Sequence, residues 1–256
     1  MGGASSISED ISGLPDVDGY VVAVPTSIHA DVVTELAGRD RPVFVEKPMT
    51  ADADSARRLA DEPHVFVMDK WRYHPGVAAL RDLTESGRYG APSLIATTRH
   101  SLFNPHDDVD AVWILAPHDL AIILEILGRL PPAAWAVGET DGVDASLVGV
   151  VGDGDISAVV DVSSRSHTYR RETRIVFESA VAVLSGGYSD TIEIFITNTG
   201  SEPTNESMPI SSEMPLLMEL GAFVEHLDGG PTPRSSAATG ALIVERIAEL
   251  RSMAGI

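Results

Sequence analysis

The chain has no cysteine. Disulfides, thiolate nucleophiles and cysteine-based metal sites are excluded together. Positive charge is scarce: 18 Lys and Arg stand against 38 Asp and Glu, a formal net charge of −20. Such a surface repels polyanions, so neither nucleic acid nor an anionic membrane is an expected partner. A phosphorylated small molecule is still allowed, because a local basic pocket can lie inside an acidic shell. No segment approaches the about 20 apolar residues of a membrane-spanning helix. Met1 to Asp10 is small and acidic, unlike a signal peptide, and the cytoplasm is the expected compartment. No G-x-S-x-G elbow, Walker loop or H-E-x-x-H helix occurs. The one G-x-G, Gly152 and Gly154, sits between two strand-like runs, with Ser157 where a third glycine would stand. It reads as a hairpin turn, not a phosphate cradle.

What is present is a change of character along the chain. Tyr20–Val24, Val43–Val45 and Val65–Met68 are continuous apolar runs, as expected of parallel strands covered on both faces. Helical segments, 28–37 and 52–60, separate them. This strand–helix alternation predicts βαβ units. After Pro75 the pattern predicts a helix over 77–86, a strand over 94–98 and a very apolar helix starting near Pro117 and ended by Gly128. Six strands follow, near 134–139, 145–151, 156–164, 173–178, 181–185 and 191–196. Residues 199–213 read as a polar loop, and helices at 215–227 and 237–253 close the chain. The expected fold is α/β: a partial Rossmann-like parallel sheet over residues 1–74, then an α+β domain with a large, mainly antiparallel sheet over 75–256.

Several polar groups stand where ligands collect. In an open parallel sheet that place is outside the carboxyl ends of the strands. Glu46-Lys47-Pro48 follows one such strand, and Pro25-Thr26-Ser27-Ile28-His29 follows its neighbour. Lys47 is placed to reach a ligand, although a lysine after a strand is also an ordinary surface residue. Thr26 or Ser27 can equally cap the next helix, and His29 can sit on its first turn. His118, in Ala116-Pro117-His118-Asp119-Leu120, is read at the N-terminus of the apolar helix. There the helix dipole disfavours imidazolium and leaves a neutral acid/base group. His106 with Asp107, Asp108 and Asp110 has the composition of a metal-ligand cluster but no standard spacing, so no metal is assigned. Arg165, His167, Arg170 and Arg171 gather positive charge in one strand connection, suited to an anionic substrate group or to a solvated hairpin.

Four segments, Val22–His29, Glu46-Lys47-Pro48-Met49, Trp71-Arg72-Tyr73-His74-Pro75 and Pro117-His118-Asp119-Leu120, resemble the Gfo/Idh/MocA oxidoreductases in order and spacing. The resemblance implies NAD or NADP as cofactor. It implies hydride transfer at a hydroxyl of a sugar, sugar nucleotide or cyclitol, and a C-terminal sheet that mediates a homo-oligomer. Carried over by motif, Lys47 is the catalytic lysine and His118 the acid/base histidine. Pro25, Thr26, His29, Glu46 and Arg72 line the cofactor. Tyr73, His106, Asp110, Asp119, Arg165 and His167 are candidate substrate contacts. The sequence departs from the family in two places. The G-x-G-x-x-G half of the dinucleotide-binding domain is absent, so this chain alone is expected to bind cofactor abnormally. A longer reading frame, a second chain covering the strand at 20–24, or cover of that strand by residues 1–18 and a symmetry mate is then expected. The family's aspartate four residues before the motif histidine is replaced by Ile114. A cofactor-independent eliminase, epimerase or cyclase using Lys47 and His118, and a non-catalytic partner of a full-length relative, remain as alternatives.

Overall fold

The computed structural model describes residues 11–197 and 204–256. Among them, β1 (Tyr20–Val22), β2 (Val43–Glu46) and β3 (Val65–Met68) form a parallel sheet in that order. The unbroken apolarity of β2 and β3 has a direct cause. Val43, Val45, Val65 and Val67 point into the main core, while Phe44, Phe66 and Met68 point the other way into a second cluster with Phe223. The Phe44 and Phe223 rings stack with centroids 4.6 Å apart. Helices α1 (His29–Ala37) and α2 (Ala53–Leu59) connect the strands. Asp52 caps α2 by accepting from the Ser55 amide at 2.7 Å. β1 is an edge strand among the described residues, and Val21 on it is exposed.

The second sheet has eight strands in the order β11-β10-β9-β8-β4-β7-β6-β5. These are β4 (Pro92–His100), β5 (Ala133–Asp141), β6 (Asp144–Gly152), β7 (Ser157–Ser163), β8 (Arg170–Phe177), β9 (Ala180–Ser185), β10 (Thr191–Ile196) and β11 (Thr204–Pro209). Every neighbouring pair is antiparallel except β4–β7. Burial alternates along β4 and β7, so one face is covered and the other is open. Helices α3 (Pro75–Ser86), α4 (Ala111–Leu127), α5 (Pro215–Leu227) and α6 (Ala237–Ala254) complete the fold. α4 lies on β4, β6 and β7, and α6 bridges β5 to α2 and β3. The segment before α6 returns to the parallel sheet: the Val67 amide donates to the Ser235 carbonyl at 2.8 Å. Late parts of the chain therefore cover both a face and an edge of the first sheet.

Two expectations are corrected. α4 begins at Ala111, six residues before Pro117, which lies inside the helix. Asp110 is the N-cap, accepting from the Val112 amide at 3.0 Å and held by Arg251 at 2.8 Å. An early proline normally marks a helix start, but here the apolar burial of almost every side chain from Ala111 onward carries the helix through it. The expected loop at 199–213 contains β11, paired with β10; residues 198–203 lie outside the described residues. β11 is an edge strand with mostly exposed polar side chains, so it shows no apolar alternation.

Candidate functional site

Two neighbouring cavities open beyond the carboxyl ends of β1–β3. The smaller, about 440 Å³, is lined by Val24, Thr26, Glu46, Lys47, Lys70 and Glu219 among others. The larger, about 960 Å³, lies over the end of β4 and the β8–β10 loops. His118 and Lys70 line both.

Lys47 leaves β2 through a cis peptide to Pro48. Its ammonium donates to the Ile114 carbonyl in α4 at 3.3 Å. Pro117, with no amide to donate, removes the helical bond to the Trp113 carbonyl, the residue before Ile114. Burial lowers the Lys47 pKa, and Arg99 and Lys70 lower it further against the opposing pull of Glu46 and Asp69. His118 is one turn beyond Ile114. Its Nδ1 is buried with no partner among the described residues. Burial first, then the positive charges of Lys47, Arg99, Lys70 and Arg171, hold its pKa well below that of a free imidazole. The ring is neutral at pH 7, but not for the expected reason: His118 lies about two turns inside α4, beyond the reach of the N-terminal dipole.

Beside Lys47 lie two buried carboxyls. Burial, reinforced by Asp69, pushes Glu219 up to about 9. Burial pushes Asp69 up to about 7 against the pull of Arg72 and Lys47. One oxygen of each has no hydrogen-bond partner among the described residues. Both groups hold their protons more tightly folded than unfolded. Folding stability therefore falls as pH rises from the ordinary carboxyl range towards 9. Glu219→Gln keeps the neutral shape and has no proton to lose. Its melting temperature is expected to decline less steeply than that of the wild type between about pH 5 and pH 9. Parallel melting curves would show that Glu219 titrates normally.

The remaining sequence candidates divide. Thr26, His29, Glu46 and His106 line the smaller cavity, and Pro25 is an exposed residue beside it. His29 is buried, with Nδ1 2.8 Å from the Pro48 carbonyl and Nε2 3.0 Å from the Val24 carbonyl. One ring N–H donates to one of them, and an imidazolium would donate to both. The ring thus ties the two ligand-side loops together. Arg72 lies outside both cavities, donating to Glu125 at 3.0 Å and to the Arg234 carbonyl at 2.6 Å. Arg81 and Arg234 share that same carboxylate. The Tyr73 hydroxyl accepts from the Arg234 amide at 2.8 Å. Asp110 is the helix cap, and Asp108 accepts from the Ser27 amide at 2.9 Å. Among the described residues no His, Asp and Glu side chains gather in a group able to hold a metal. Asp119 is buried against Arg99 at 2.9 Å, beneath the larger cavity. Ile114 lines that cavity, so neither Asp110 nor Asp119 takes the place of an aspartate there. Arg165 faces Glu139 and Asp141 on the β5–β6 hairpin, and His167 is exposed; neither lines either of these two cavities. Arg170 and Arg171 do.

Lys70, Arg99, Asp69 and Glu219 carried no role in the sequence reading. Two signals pointed to Arg99 and Glu219. Inward positions of β4 alternate Ile95, Thr97, Arg99, which puts an arginine in the covered face. Glu219 stands one turn before the buried Phe223 on the same face of α5.

The family profile described as "Oxidoreductase family, NAD-binding Rossmann fold" (GFO_IDH_MocA) matches residues 4–65. The chain is 26% identical to the UDP-N-acetylglucosamine 3-dehydrogenase of Acidithiobacillus ferrooxidans, over 82% of this chain and 70% of that protein. It is 23% identical to the uncharacterized oxidoreductase YrbE of Bacillus subtilis, over 78% of this chain and 59% of that protein. Levoglucosan dehydrogenase in complex with NADH superposes with a TM-score of 0.83 at 15% identity, covering 97% of this chain and 81% of that one. That superposition shows a shared fold. The chain resembles the Gfo/Idh/MocA oxidoreductases in profile over residues 4–65 and in overall fold, and spans about three fifths of YrbE.

Proposed function

We propose that this chain carries the catalytic residues of an oxidoreductase that removes hydride from a hydroxyl-bearing carbon of a sugar, sugar nucleotide or cyclitol, with NAD(P) as acceptor. The observation that carries the reading is that Lys47 and His118 line one cavity at the carboxyl ends of the parallel strands. Both retain hydrogen-bonding capacity: Lys47 has one recorded acceptor, and the buried Nδ1 of His118 has no partner among the described residues. A space of about 440 Å³ suits the nicotinamide end of a dinucleotide rather than the whole of it. Val24, Thr26 and Glu46 would hold that end, and the bound ring would supply the hydride acceptor.

The chain's own groups handle the proton. Oxidising a hydroxyl releases one hydride and one proton. A lysine with a lowered pKa more readily presents the free amine that accepts that proton. A neutral imidazole donates through one nitrogen and accepts through the other, so His118 can orient the hydroxyl or relay the proton. His29 ties the loop at Val24 to Pro48, beside Lys47. Trp135, Val137 and Val148 form an exposed apolar strip on β5 and β6, which supports self-association through the large sheet.

Purified protein mixed with NAD⁺ or NADP⁺ and a panel of cyclitols and sugars is expected to produce the absorbance of reduced nicotinamide. Failure with every substrate, together with no binding of either dinucleotide by fluorescence, would overturn the redox reading. Substrate turnover without dinucleotide would instead favour acid/base chemistry by the same two residues.

A further inference from the structure

We infer that the molecule bound in the larger cavity carries an anionic group, a phosphate or a carboxylate, seated by Arg171 and Lys70. This deepens the reading above and takes from it only that the ligand is carbohydrate-like. The argument starts from where the positive charges of an acidic chain have gone. Four cationic side chains, Lys70, Arg99, Arg170 and Arg171, line this cavity, with Glu172 the one carboxylate among its lining residues. Arg99 is matched by Asp119 at 2.9 Å, and Arg170 by Glu172 at 2.9 Å. That leaves two.

Arg171 donates to the His100 carbonyl and, at 3.1 Å, to the Ser101 hydroxyl, and its guanidinium lies 4.0 Å from the Tyr169 ring centre. None of these partners carries a negative charge. Among the described residues neither Arg171 nor Lys70 has a carboxylate within 4.0 Å. Elsewhere in the same chain the opposite holds: Glu125 alone draws three arginines. A partly buried guanidinium with no carboxylate in contact gains from an arriving anion. Burial and the neighbouring Arg99 lower the Arg171 pKa against the pull of Tyr169 and Asp119.

The placement also fits one molecule reaching both chemistries. Lys70 lines both cavities, and His118 stands between them. An anion held at Arg171 and Lys70 would anchor one end of a substrate whose hydroxyl meets Lys47 and His118. The larger cavity, about 960 Å³, is at the upper end of small-molecule sites and has room for a sugar ring plus a charged substituent. Tyr188, 89% exposed, stands at its lining and offers an aromatic face to such a ring. Arginine's planar fork suits either oxyanion.

Calorimetric titration without any dinucleotide tests this with glucose, glucuronate and glucose 6-phosphate. The anionic sugars are expected to bind at least about tenfold tighter than glucose, with the advantage shrinking as salt is raised. The tighter of the two tells carboxylate from phosphate. In R171Q, and separately in K70Q, the advantage is expected to fall several-fold. Equal affinities for all three sugars, binding of none, or a preference untouched by both substitutions would overturn the inference. Arg171 ties down His100 and Ser101, so R171Q can unfold. K70Q, on a short 3₁₀ turn, and the salt dependence of the wild type then decide the matter. Absent nicotinamide reduction alongside a clear anion preference would remove the redox reading and leave this one standing.

Discussion

Replacing Lys47 with methionine is expected to lower kcat/KM for cofactor-linked sugar oxidation by about 10³-fold, in the range of a well-placed proton-transfer group. Methionine is close in length and apolar, so the buried strand end keeps its packing. The substitution loses one bond of 3.3 Å to the Ile114 carbonyl and also removes a buried charge, two effects of opposite sign. The melting temperature should therefore move little while activity collapses. The pH profile separates this from a structural role. In the wild type, kcat/KM should rise with pH as Lys47 gives up its proton, at a pH below that of an ordinary lysine because burial lowers its pKa. The variant should lack that rising limb. Lys47→Arg should not rescue it, because a guanidinium keeps its proton. Activity near the wild-type level in the methionine variant, with the limb intact, would show that another group takes the proton.

The parts of this site that were legible in the sequence are those whose position follows from local pattern. Lys47 comes after an unbroken apolar run, and β2 is indeed covered on both faces. Gly87 and Gly128 end α3 and α4 in the left-handed conformation their lack of a side chain permits. The start of α4 was not legible, because a proline in an apolar run looks like a first turn. The true cap, Asp110, stood among other acidic residues of a loop. Arg72 and Tyr73 were read towards the ligand, yet they face Glu125 and Arg234, partners 53 and 161 residues away in sequence. The same limit hid Asp69 and the raised proton affinity of Glu219. Their perturbed proton affinities arise from burial produced by α5 folding back over β2 and β3, a contact no local window contains.

The largest expected loss of stability is at Asp119. Asp119→Ala is expected to destabilise the fold by about 3 kcal/mol, since it leaves a buried guanidinium without its counterion. Arg99 is 4% exposed and Asp119 1%, and both Nε and Nη2 of Arg99 donate to Oδ1, at 3.1 and 2.9 Å. The second carboxylate oxygen has no partner among the described residues. Burial raises the Asp119 pKa against the arginine's pull, the direction expected where desolvation offsets much of the attraction. That predicts a sign for the double substitution. Arg99→Met with Asp119→Leu removes both charges and fills the space, and should be less destabilised than Asp119→Ala alone. The guanidinium also lies 4.6 Å from the Trp71 ring centre, so Arg99→Met alone should forfeit that contact and strand the carboxylate. Thermal denaturation of the wild type, Asp119→Ala, Arg99→Met and the double variant ranks the four. At about 2–4 °C per kcal/mol for a chain of this size, Asp119→Ala should melt roughly 10 °C lower. If the double variant is the least stable of the set, the pair contributes net stability and the desolvation argument fails.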